Sequence, residues 1–288
     1  MSTLHNTQTL RTLLGNCTLP ANEARILLSH VLENHYQLPR SALLSRDDMV
    51  IDGAAFVEWE ELKRRRIDGE PIAYLLGKKG FHAIELLVAP GVLIPRPETE
   101  LLVDIALAEI EQLKRPGKIL DLGTGSGAIA LAIGKALPQA NILATDQSSD
   151  ALAIAKKNAL SLGLQERVQF AQGSWYEALP KASSSSDFDV IVSNPPYIAN
   201  EDPHLCQGDL RFEPASALTD FGNGLTCLKQ IISGAIEHLR PGGLIAVEHG
   251  YDQSEAVVNM MNMAGLINTQ VHLDLAGHTR AVSARRAP

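Results

Sequence analysis

The stretch ILDLGTGSGAIALAIGKAL, residues 119–137, joins an apolar strand to an apolar helix through a glycine-rich turn. Gly123, Gly125 and Gly127 allow the backbone to bend sharply and to approach a ligand closely. Three interpretations fit this pattern: a dinucleotide site with a pyrophosphate at the helix N-terminus, an S-adenosylmethionine site, or a tight turn without a ligand. Each of them makes the stretch part of an α/β unit.

Strands and helices alternate along the rest of the chain beyond about residue 98. The predicted strands are KILDLG, NILATD, RVQFAQG, DFDVIVSN, GLIAVEHG, NTQVHL and RAVSAR. The predicted helices are 127–137, 149–162, 225–239 and 252–263. This alternation predicts an α/β fold with a seven-stranded, mostly parallel sheet and helices on both faces. A serine run, Ser183 to Ser186, is predicted to be a flexible surface loop.

Residues 1 to about 75 have helical periodicity and no convincing strand. One apolar stripe at helical spacing is formed by Ala24, Leu27, Leu28, Val31 and Leu32. The pattern predicts a small all-α N-terminal domain.

A basic run, Lys63 to Arg66, ends a second helical stretch, where cations favour the helix dipole. It is either a solvated helix end or a docking patch for an RNA or an RNA-bound partner. The next residues carry partly alternating apolar side chains around Pro90-Gly91, which predicts a β-hairpin linker at that turn. The predicted domains are 1–75, 76–97 and 98–288.

The composition excludes several classes of protein. The 288 residues carry a net charge of −8, which argues against a protein that coats nucleic acid. Cys17, Cys206 and Cys227 are far apart, so neither a disulfide framework nor a zinc site is expected. No signal peptide and no membrane-spanning run is evident. We therefore expect a cytoplasmic protein that needs no metal and no membrane.

The residues around the glycines favour S-adenosylmethionine over a dinucleotide. Asp121 ends the strand just before the turn, so its carboxylate is expected to point into the ligand crevice. There it would repel a pyrophosphate and attract the ammonium of a methionine moiety. The glycine spacing also misses the dinucleotide register, because Ala128 occupies the third position.

Two later residues extend the predicted cofactor site. Asp146 ends the second strand, where a carboxylate can accept both ribose hydroxyls of an adenosine in either cofactor class. Its alternative role is the N-cap of the helix that begins near Ser149. Trp175 follows the third strand, and its ring either packs on adenine or lies in the core.

The segment SNPPY follows the fourth strand, at the same edge of the sheet as the glycine turn. A conjugated amide or amino nitrogen is a poor nucleophile, which two hydrogen-bond acceptors can improve. The side-chain oxygen of Asn194 and the carbonyl of Pro195 can be those acceptors, because proline fixes the backbone. Tyr197 can offer a flat face to a planar substrate. A simple strand-ending turn is the alternative, and the nearby glycine turn and Asp146 weigh against it.

The motifs DLGTGSG, ATD, GSW and SNPPYI resemble those of class I methyltransferases that modify planar nitrogens. The segments VLIPRPETE, LRFEPASAL and DLAGHTRAV extend the resemblance to the HemK/PrmC family of release factor glutamine methyltransferases, over most of the chain. The resemblance implies a Rossmann-like class I methyltransferase domain preceded by a substrate-docking helical domain. It implies methyl transfer from S-adenosyl-L-methionine to the glutamine of the Gly-Gly-Gln motif in class I peptide chain release factors, which modulates translation termination.

The predicted site residues combine the local patterns with this resemblance. The cofactor site is assigned to Asp121, Gly123, Thr124, Gly125, Ser126, Gly127, Asp146, Trp175 and Asn194. The substrate glutamine is assigned to Asn194, Pro195, Pro196 and Tyr197, of which Asn194, Pro195 and Tyr197 are the predicted catalytic residues. The chain departs from the family pattern at Ala83-Ile84 and at Asn223-Gly224-Leu225, which blurs the details of substrate docking.

Two rival functions remain open at this point. A nucleic-acid amino methyltransferase shares the NPPY chemistry, but it should hold phosphates with basic residues. The acidic charge balance and the lack of a large basic recognition region count against it. A non-catalytic cofactor-binding module is the second rival, and the intact NPPY segment counts against that one.

Overall fold

The computed structural model of the protein describes residues 8–179 and 188–288. The chain divides into two compact units, Met1–Gly77 and Lys78–Pro288. The serine run predicted as a surface loop lies outside the described residues.

The first unit is helical, as predicted. Its helices are α1 (Leu10–Gly15), α2 (Ala21–Tyr36), α3 (Ala42–Ser45), α4 (Gly53–Ile67) and α5 (Ile72–Leu76). The apolar stripe of α2 is buried in one core that includes Trp59 and Leu62 of α4. Asp52 caps α4 by accepting a hydrogen bond from the Ala55 backbone N–H at 3.0 Å.

The basic run at the end of α4 is neutralised within its own unit. Each of its four side chains has a carboxylate partner, in the pairs Lys63–Glu60, Arg64–Glu61, Arg65–Glu70 and Arg66–Glu23, at 2.5–2.7 Å. The last pair joins α4 to α2, because Glu23 lies in the first turn of α2. The run is therefore a paired helix end, which weakens its interpretation as a patch for nucleic acid.

The second unit begins with a β-hairpin, but its turn is not at the predicted position. Strands β1 (Lys78–Phe81) and β2 (Ile84–Leu87) pair antiparallel, and the turn lies at His82-Ala83. His82 has a φ of 50°, as tight hairpin turns require. Pro90-Gly91 lies beyond the hairpin and forms a separate turn.

The seven-stranded sheet predicted from the alternation is confirmed among the described residues. Its strands are β3 (Lys118–Leu122), β4 (Asn141–Asp146), β5 (Val168–Gln172), β6 (Phe188–Ser193), β7 (Leu239–Glu248), β8 (Ile267–Leu273) and β9 (Thr279–Arg285). They follow the order β5-β4-β3-β6-β7-β9-β8. The pairs within β5-β4-β3-β6-β7 are parallel, whereas β9 runs antiparallel to both of its neighbours.

Helices cover both faces of this sheet. The α-helices in the described part of the second unit are α6 (Glu100–Glu111), α7 (Ala128–Ala136), α8 (Ser149–Ser161), α9 (Ala215–Leu218), α10 (Thr226–His238) and α11 (Ser254–Met263). One buried cluster joins α6 and α7 to one face, and a second joins α10 and α11 to the other. The strands β3, β4 and β5 extend the sheet in one direction, whereas β6 and β7 extend it in the other. The strand order therefore reverses between β3 and β6, which leaves a crevice at their carboxyl ends.

Candidate active site

A cavity of about 330 Å³ lies at the carboxyl ends of the central parallel strands. The predicted site residues that line it are Gly123, Thr124, Gly125, Ser126, Asp146, Trp175, Asn194 and Pro196. The remaining ones, Asp121, Gly127, Pro195 and Tyr197, do not line the cavity. The structure thus brings the glycine turn, the second acidic strand end and the NPPY segment to one place.

The glycine turn has the left-handed backbone that its sequence predicts. Gly123, Gly125 and Gly127 have φ values of 74°, 57° and 87°. A side chain at Gly127 would come within 2.8 Å of Leu131, whereas one at Gly125 would meet no protein atom within 4 Å. The Gly123 and Thr124 N–H groups both donate to the Thr145 carbonyl, so β4 holds the turn in place.

A buried amide in α8 fixes the other end of this turn. The Nδ2 of Asn158 donates to the carbonyl of Ser126 at 2.9 Å and to that of Leu87 at 3.0 Å. Its Oδ1 accepts from the Leu87 N–H at 2.6 Å. Asn158 therefore connects the glycine turn to strand β2 of the hairpin, although it was not predicted as a site residue.

Asp121 does not point into the crevice as the sequence analysis expected. Its side chain is fully buried beneath the turn, where Oδ2 accepts hydrogen bonds from the Thr124 hydroxyl at 2.6 Å and the Ala130 N–H at 3.2 Å. Burial raises the pKa of this carboxyl to about 7. Oδ1 has no hydrogen-bond partner among the described residues. The strand continues straight into the turn, so the side chain at this position supports the turn from below.

Asp146 lines the cavity, and it is not a helix cap. The cap of α8 is Ser148, whose hydroxyl accepts from the Ala151 N–H. The two carboxylate oxygens of Asp146 accept from the backbone N–H groups of Gly125 and Ser148 at 2.8 and 2.9 Å. A carboxylate has about four acceptor positions, so each oxygen retains one for a ligand hydroxyl. Burial raises the pKa of Asp146.

Trp175 combines features of both interpretations that the sequence left open. Its ring lines the cavity and also packs against the buried cluster below α10. The indole N–H donates to Oε1 of Gln230 at 2.9 Å, which fixes the plane of the ring. The backbone of Trp175 has a φ of 45°, a strained value that is costly for an aromatic residue.

The two ends of the NPPY segment are held by buried polar groups. The amide nitrogen of Asn194 donates to the Thr99 hydroxyl at 3.0 Å. The hydroxyl of Tyr197 donates to Oε1 of Glu248 at 3.0 Å, so this ring packs beside the core and does not line the cavity. Burial and the neighbouring Glu248 raise the pKa of Tyr197. The Oδ1 atom of Asn194 makes no hydrogen bond to another described residue.

Two segments of the cavity wall were missed as part of the site. One comprises Val92, Leu93 and Pro95, and the other comprises residues between Pro214 and Phe221. Arg96 pairs with the buried Glu213, whose second oxygen accepts from the Ile94 N–H at 2.8 Å. Both segments belong to motifs that carried the family resemblance, which was the available signal for their role.

Metal and membrane features are lacking in residues 8–179 and 188–288. No group of three or more potential metal ligands occurs there. Within the same ranges, no helix has both the length and the apolar character needed to cross a bilayer.

The residues that line the cavity fit S-adenosylmethionine in their chemistry. Gly125 leaves open space where any side chain would project, so a ligand can approach the backbone. Asp146 presents to the cavity carboxylate oxygens of the kind that can accept from ribose hydroxyls, and the Trp175 ring offers an apolar face. The acidic and apolar groups match an adenosine that carries no phosphate better than they match a pyrophosphate.

Comparisons with known proteins agree with this geometry. Residues 113–279 match the model of a methyltransferase domain, and residues 8–77 match the PrmC N-terminal domain. The release factor glutamine methyltransferase of Bordetella pertussis is 49% identical over 94% of this chain and 97% of its own. The enzyme of the same name from Xylella fastidiosa strain Temecula1 is 46% identical over 91% of this chain and 92% of its own.

Solved structures support the fold. A methyltransferase from Pyrococcus furiosus has a TM-score of 0.54 at 16% identity, covering 80% of this chain and 100% of that one. The 16S rRNA N2 G1207 methyltransferase of Thermus thermophilus, solved with AdoMet and guanosine, has a TM-score of 0.51 at 19% identity and covers 73% and 49%. The curated relatives decide the family, since they match nearly the whole chain at high identity. This chain belongs to the family of release factor glutamine methyltransferases.

Proposed function

We propose that this enzyme transfers a methyl group from S-adenosyl-L-methionine to the side-chain amide nitrogen of the glutamine in the Gly-Gly-Gln motif of class I peptide chain release factors. Through this modification it would modulate translation termination. The observation that carries the proposal is the placement of Asn194 in the cavity wall, with its amide nitrogen anchored on Thr99 and its Oδ1 atom without a partner among the described residues.

The glycine turn, Asp146 and Trp175 are proposed to hold the methyl donor. Asp146 would accept the ribose hydroxyls, and the Trp175 ring would pack on the adenine. Asp121 would act from beneath the turn, by supporting it through Thr124 and by placing an acidic group below the methionine end. The sulfonium of the donor supplies an electrophilic methyl whose leaving group is a neutral thioether.

The substrate amide must lose conjugation to attack this methyl. The Asn194 Oδ1 atom would accept one N–H of the glutamine amide, and the Pro195 carbonyl would accept the other. Both acceptors favour a pyramidal nitrogen and the positive charge that develops on it. Their rigid attachment makes them effective, because Pro195 and Pro196 restrict the backbone and Thr99 fixes the Asn194 amide.

Tyr197 would serve the substrate indirectly. Its hydroxyl is committed to Glu248, and its ring borders the cavity wall from the core side. We therefore propose that Tyr197 holds the NPPY backbone in place for the glutamine. The two glycines before that glutamine carry no side chains, so they would let the loop enter a narrow crevice.

Residues 1–75 are proposed to dock the release factor. A short loop provides little binding area, so affinity must come from contacts remote from the glutamine. The described residues of the first unit form a core of their own. A partner bound to this unit would therefore not need to disturb the core of the methyltransferase domain.

The decisive experiment is incubation with purified release factor and methyl-labelled S-adenosylmethionine, followed by peptide mass mapping. We expect label on the glutamine of the Gly-Gly-Gln loop and none on a factor with Gln→Ala at that position. DNA and RNA oligonucleotides should take no label at low or high salt. Labelling of an oligonucleotide while the release factor stays unmodified would transfer the assignment to a nucleic-acid methyltransferase.

A further inference from the structure

A buried carboxylate lies behind the NPPY segment without a role in the chemistry described above. Glu248 ends β7 and is 2% exposed. Ser193 of β6 pairs with Val247 of β7, so Asn194 and Glu248 are the next residues along two adjacent strands. Glu248 accepts the Tyr197 hydroxyl proton, and Asn194 donates to Thr99.

Thr99 stands between Asn194 and Glu248. Its hydroxyl is buried, and its oxygen accepts from the Asn194 amide nitrogen. The same hydroxyl acts on Glu248, where it and Tyr197 oppose the effect of burial on the pKa. Among the described residues, Oε2 of Glu248 has no hydrogen-bond partner of standard geometry. The Thr99 hydroxyl lies near enough to lower the pKa of this carboxyl without making a standard hydrogen bond to it.

The number of available protons fixes which group donates and which accepts between Glu248, Thr99 and Asn194. An ionised carboxylate only accepts, so it draws the single hydroxyl proton of Thr99 toward itself. The Thr99 oxygen can then only accept from Asn194, which turns the NH₂ group of the amide toward Thr99. The Oδ1 atom of Asn194 is left facing the cavity as an acceptor.

We propose that Glu248 is a positioning residue that sets the orientation of the Asn194 amide through Thr99 and holds Tyr197 directly. The role extends the proposed methyl transfer to an amide nitrogen, on which it rests. If Glu248 carried a proton, the donor and acceptor roles of these three groups would be reversed. Thr99 would accept from residue 248 and donate to Oδ1, and the Asn194 NH₂ group would face the N–H groups of the substrate.

The proposal predicts a pH dependence with a defined sign. Burial raises the pKa of Glu248 to about 7, with Arg280 lowering it and Glu98 raising it further. The Tyr197 hydroxyl donates a hydrogen bond to it, and the nearby Thr99 hydroxyl also lowers its pKa. Protonation below this pKa would remove the acceptor, so turnover should fall as the pH drops through about 7. This acid limb should be missing from an E248Q variant, whose turnover is low throughout.

The test compares E248Q, T99V and the double variant with the wild type. Loss of one preorganised acceptor typically lowers the rate about 10²–10³-fold, so E248Q should lower kcat by about 100-fold. KM for release factor and affinity for S-adenosylmethionine should change little. Because both residues act on Asn194 through the same path, the double variant should be no slower than the slower single variant. The proposal would be overturned if the kcat losses of the two single variants multiplied in the double variant. A normally folded E248Q enzyme with nearly wild-type kcat would also overturn it.

A spectroscopic arm separates this proposal from the proposed function. The side-chain amide signals of Asn194 can be assigned by their disappearance in N194A. They should titrate near pH 7 in the wild type and not in E248Q, whether or not release factor is a substrate. Signals that are identical in both proteins at every pH would contradict the positioning role. Failure to label release factor, with the titration intact, would contradict only the proposed substrate.

Y176F is a matched control for Y197F. Tyr176 is also a half-buried tyrosine, and its hydroxyl donates to the Ile231 carbonyl at 2.8 Å instead of to Glu248. We expect Y197F to lower kcat and Y176F to affect thermal stability alone. Equal loss of turnover in both variants would assign the effect to packing and overturn the positioning role of the Tyr197–Glu248 contact.

Discussion

Arg96 and Glu213 form an ion pair that joins the two segments of the cavity wall, although they are 117 positions apart in the chain. The Glu213 side chain is fully buried, whereas that of Arg96 is 32% exposed. The Ile94 N–H donates to the same carboxylate. One acidic side chain thus holds both the VLIPRPETE and the LRFEPASAL segments in place.

Replacement of Glu213 by Ala should destabilise the enzyme and loosen the cavity wall. The Ile94 N–H would lose its acceptor, at a cost of about 1–3 kcal/mol in the free energy of unfolding. Chemical denaturation measures this loss. Asp47→Ala is the control, because Asp47 pairs with an Arg11 side chain that is 73% exposed. That variant should lose less than about 1 kcal/mol. Equal losses in the two variants would show that the Glu213 pair has no special role.

Asp121→Asn should change how stability depends on pH. Burial raises the pKa of Asp121 from 3.8 to about 7, so the folded protein binds this proton more tightly than the unfolded chain does. Between these pH values the free energy of unfolding must fall as the pH rises, by on the order of 4 kcal/mol. The variant should show a shallower slope in urea unfolding from about pH 4 to about pH 8. Glu248 titrates in the same window, so some slope should remain. An unchanged slope would mean that Asp121 does not titrate there.

Asp146→Ala should weaken the binding of S-adenosylmethionine. Each ribose hydroxyl would lose a charged acceptor, which is worth about 1.5–3 kcal/mol per bond. Isothermal calorimetry measures the change. Asp150→Ala is the matched control, because Asp150 is an exposed carboxylate in the first turn of α8. If both variants bind the cofactor as the wild type does, Asp146 is not a cofactor residue.

Asn194→Ala should depress turnover far more than stability. The lost acceptor typically costs about 10²–10³ in rate, which single-turnover kinetics with labelled donor can resolve. Asn200→Ala removes an exposed amide a few residues along the same segment and should remain active. A folded N194A enzyme with nearly wild-type turnover would refute the proposed chemistry.

Deletion of residues 1–77 should separate cofactor binding from methylation of release factor. The two cores around the sheet contain no residue from that segment, so the methyltransferase domain should stay folded. Calorimetry should find nearly normal cofactor affinity, whereas labelling of intact release factor should drop sharply. A truncated enzyme that methylates release factor at the full rate would exclude the docking role.

Local patterns predicted the elements that depend on neighbours in the sequence. The left-handed turn follows from three closely spaced glycines, and the end of strand β6 at Ser193 follows from the two prolines after Asn194. The predicted position of the hairpin turn was wrong because Pro90-Gly91 has the usual composition of a turn. The actual turn contains His82, whose positive φ is uncommon for a non-glycine residue and has no sequence signal.

Contacts between residues that are distant in the sequence could not be predicted from local patterns. Thr99 and Asn194 are 95 positions apart, and no periodicity links them. Glu248 lies in the predicted strand GLIAVEHG and Tyr197 follows a different predicted strand, so their contact becomes visible only when β6 and β7 are seen to be adjacent. The orientation of Asp121 also depended on the fold, because the carboxylate lies under the turn that it precedes.

The side chain of Asn158 couples the local opening of strand β2 to that of the glycine turn. Its three hydrogen bonds reach Leu87 on one side and Ser126 on the other. If the Asn158 side chain moves away with α8, the turn loses its contact and the Leu87 amide loses its acceptor together, because one side-chain amide satisfies both. The exchange rate of that backbone hydrogen thus reports, from the hairpin, how tightly the floor of the cavity is closed.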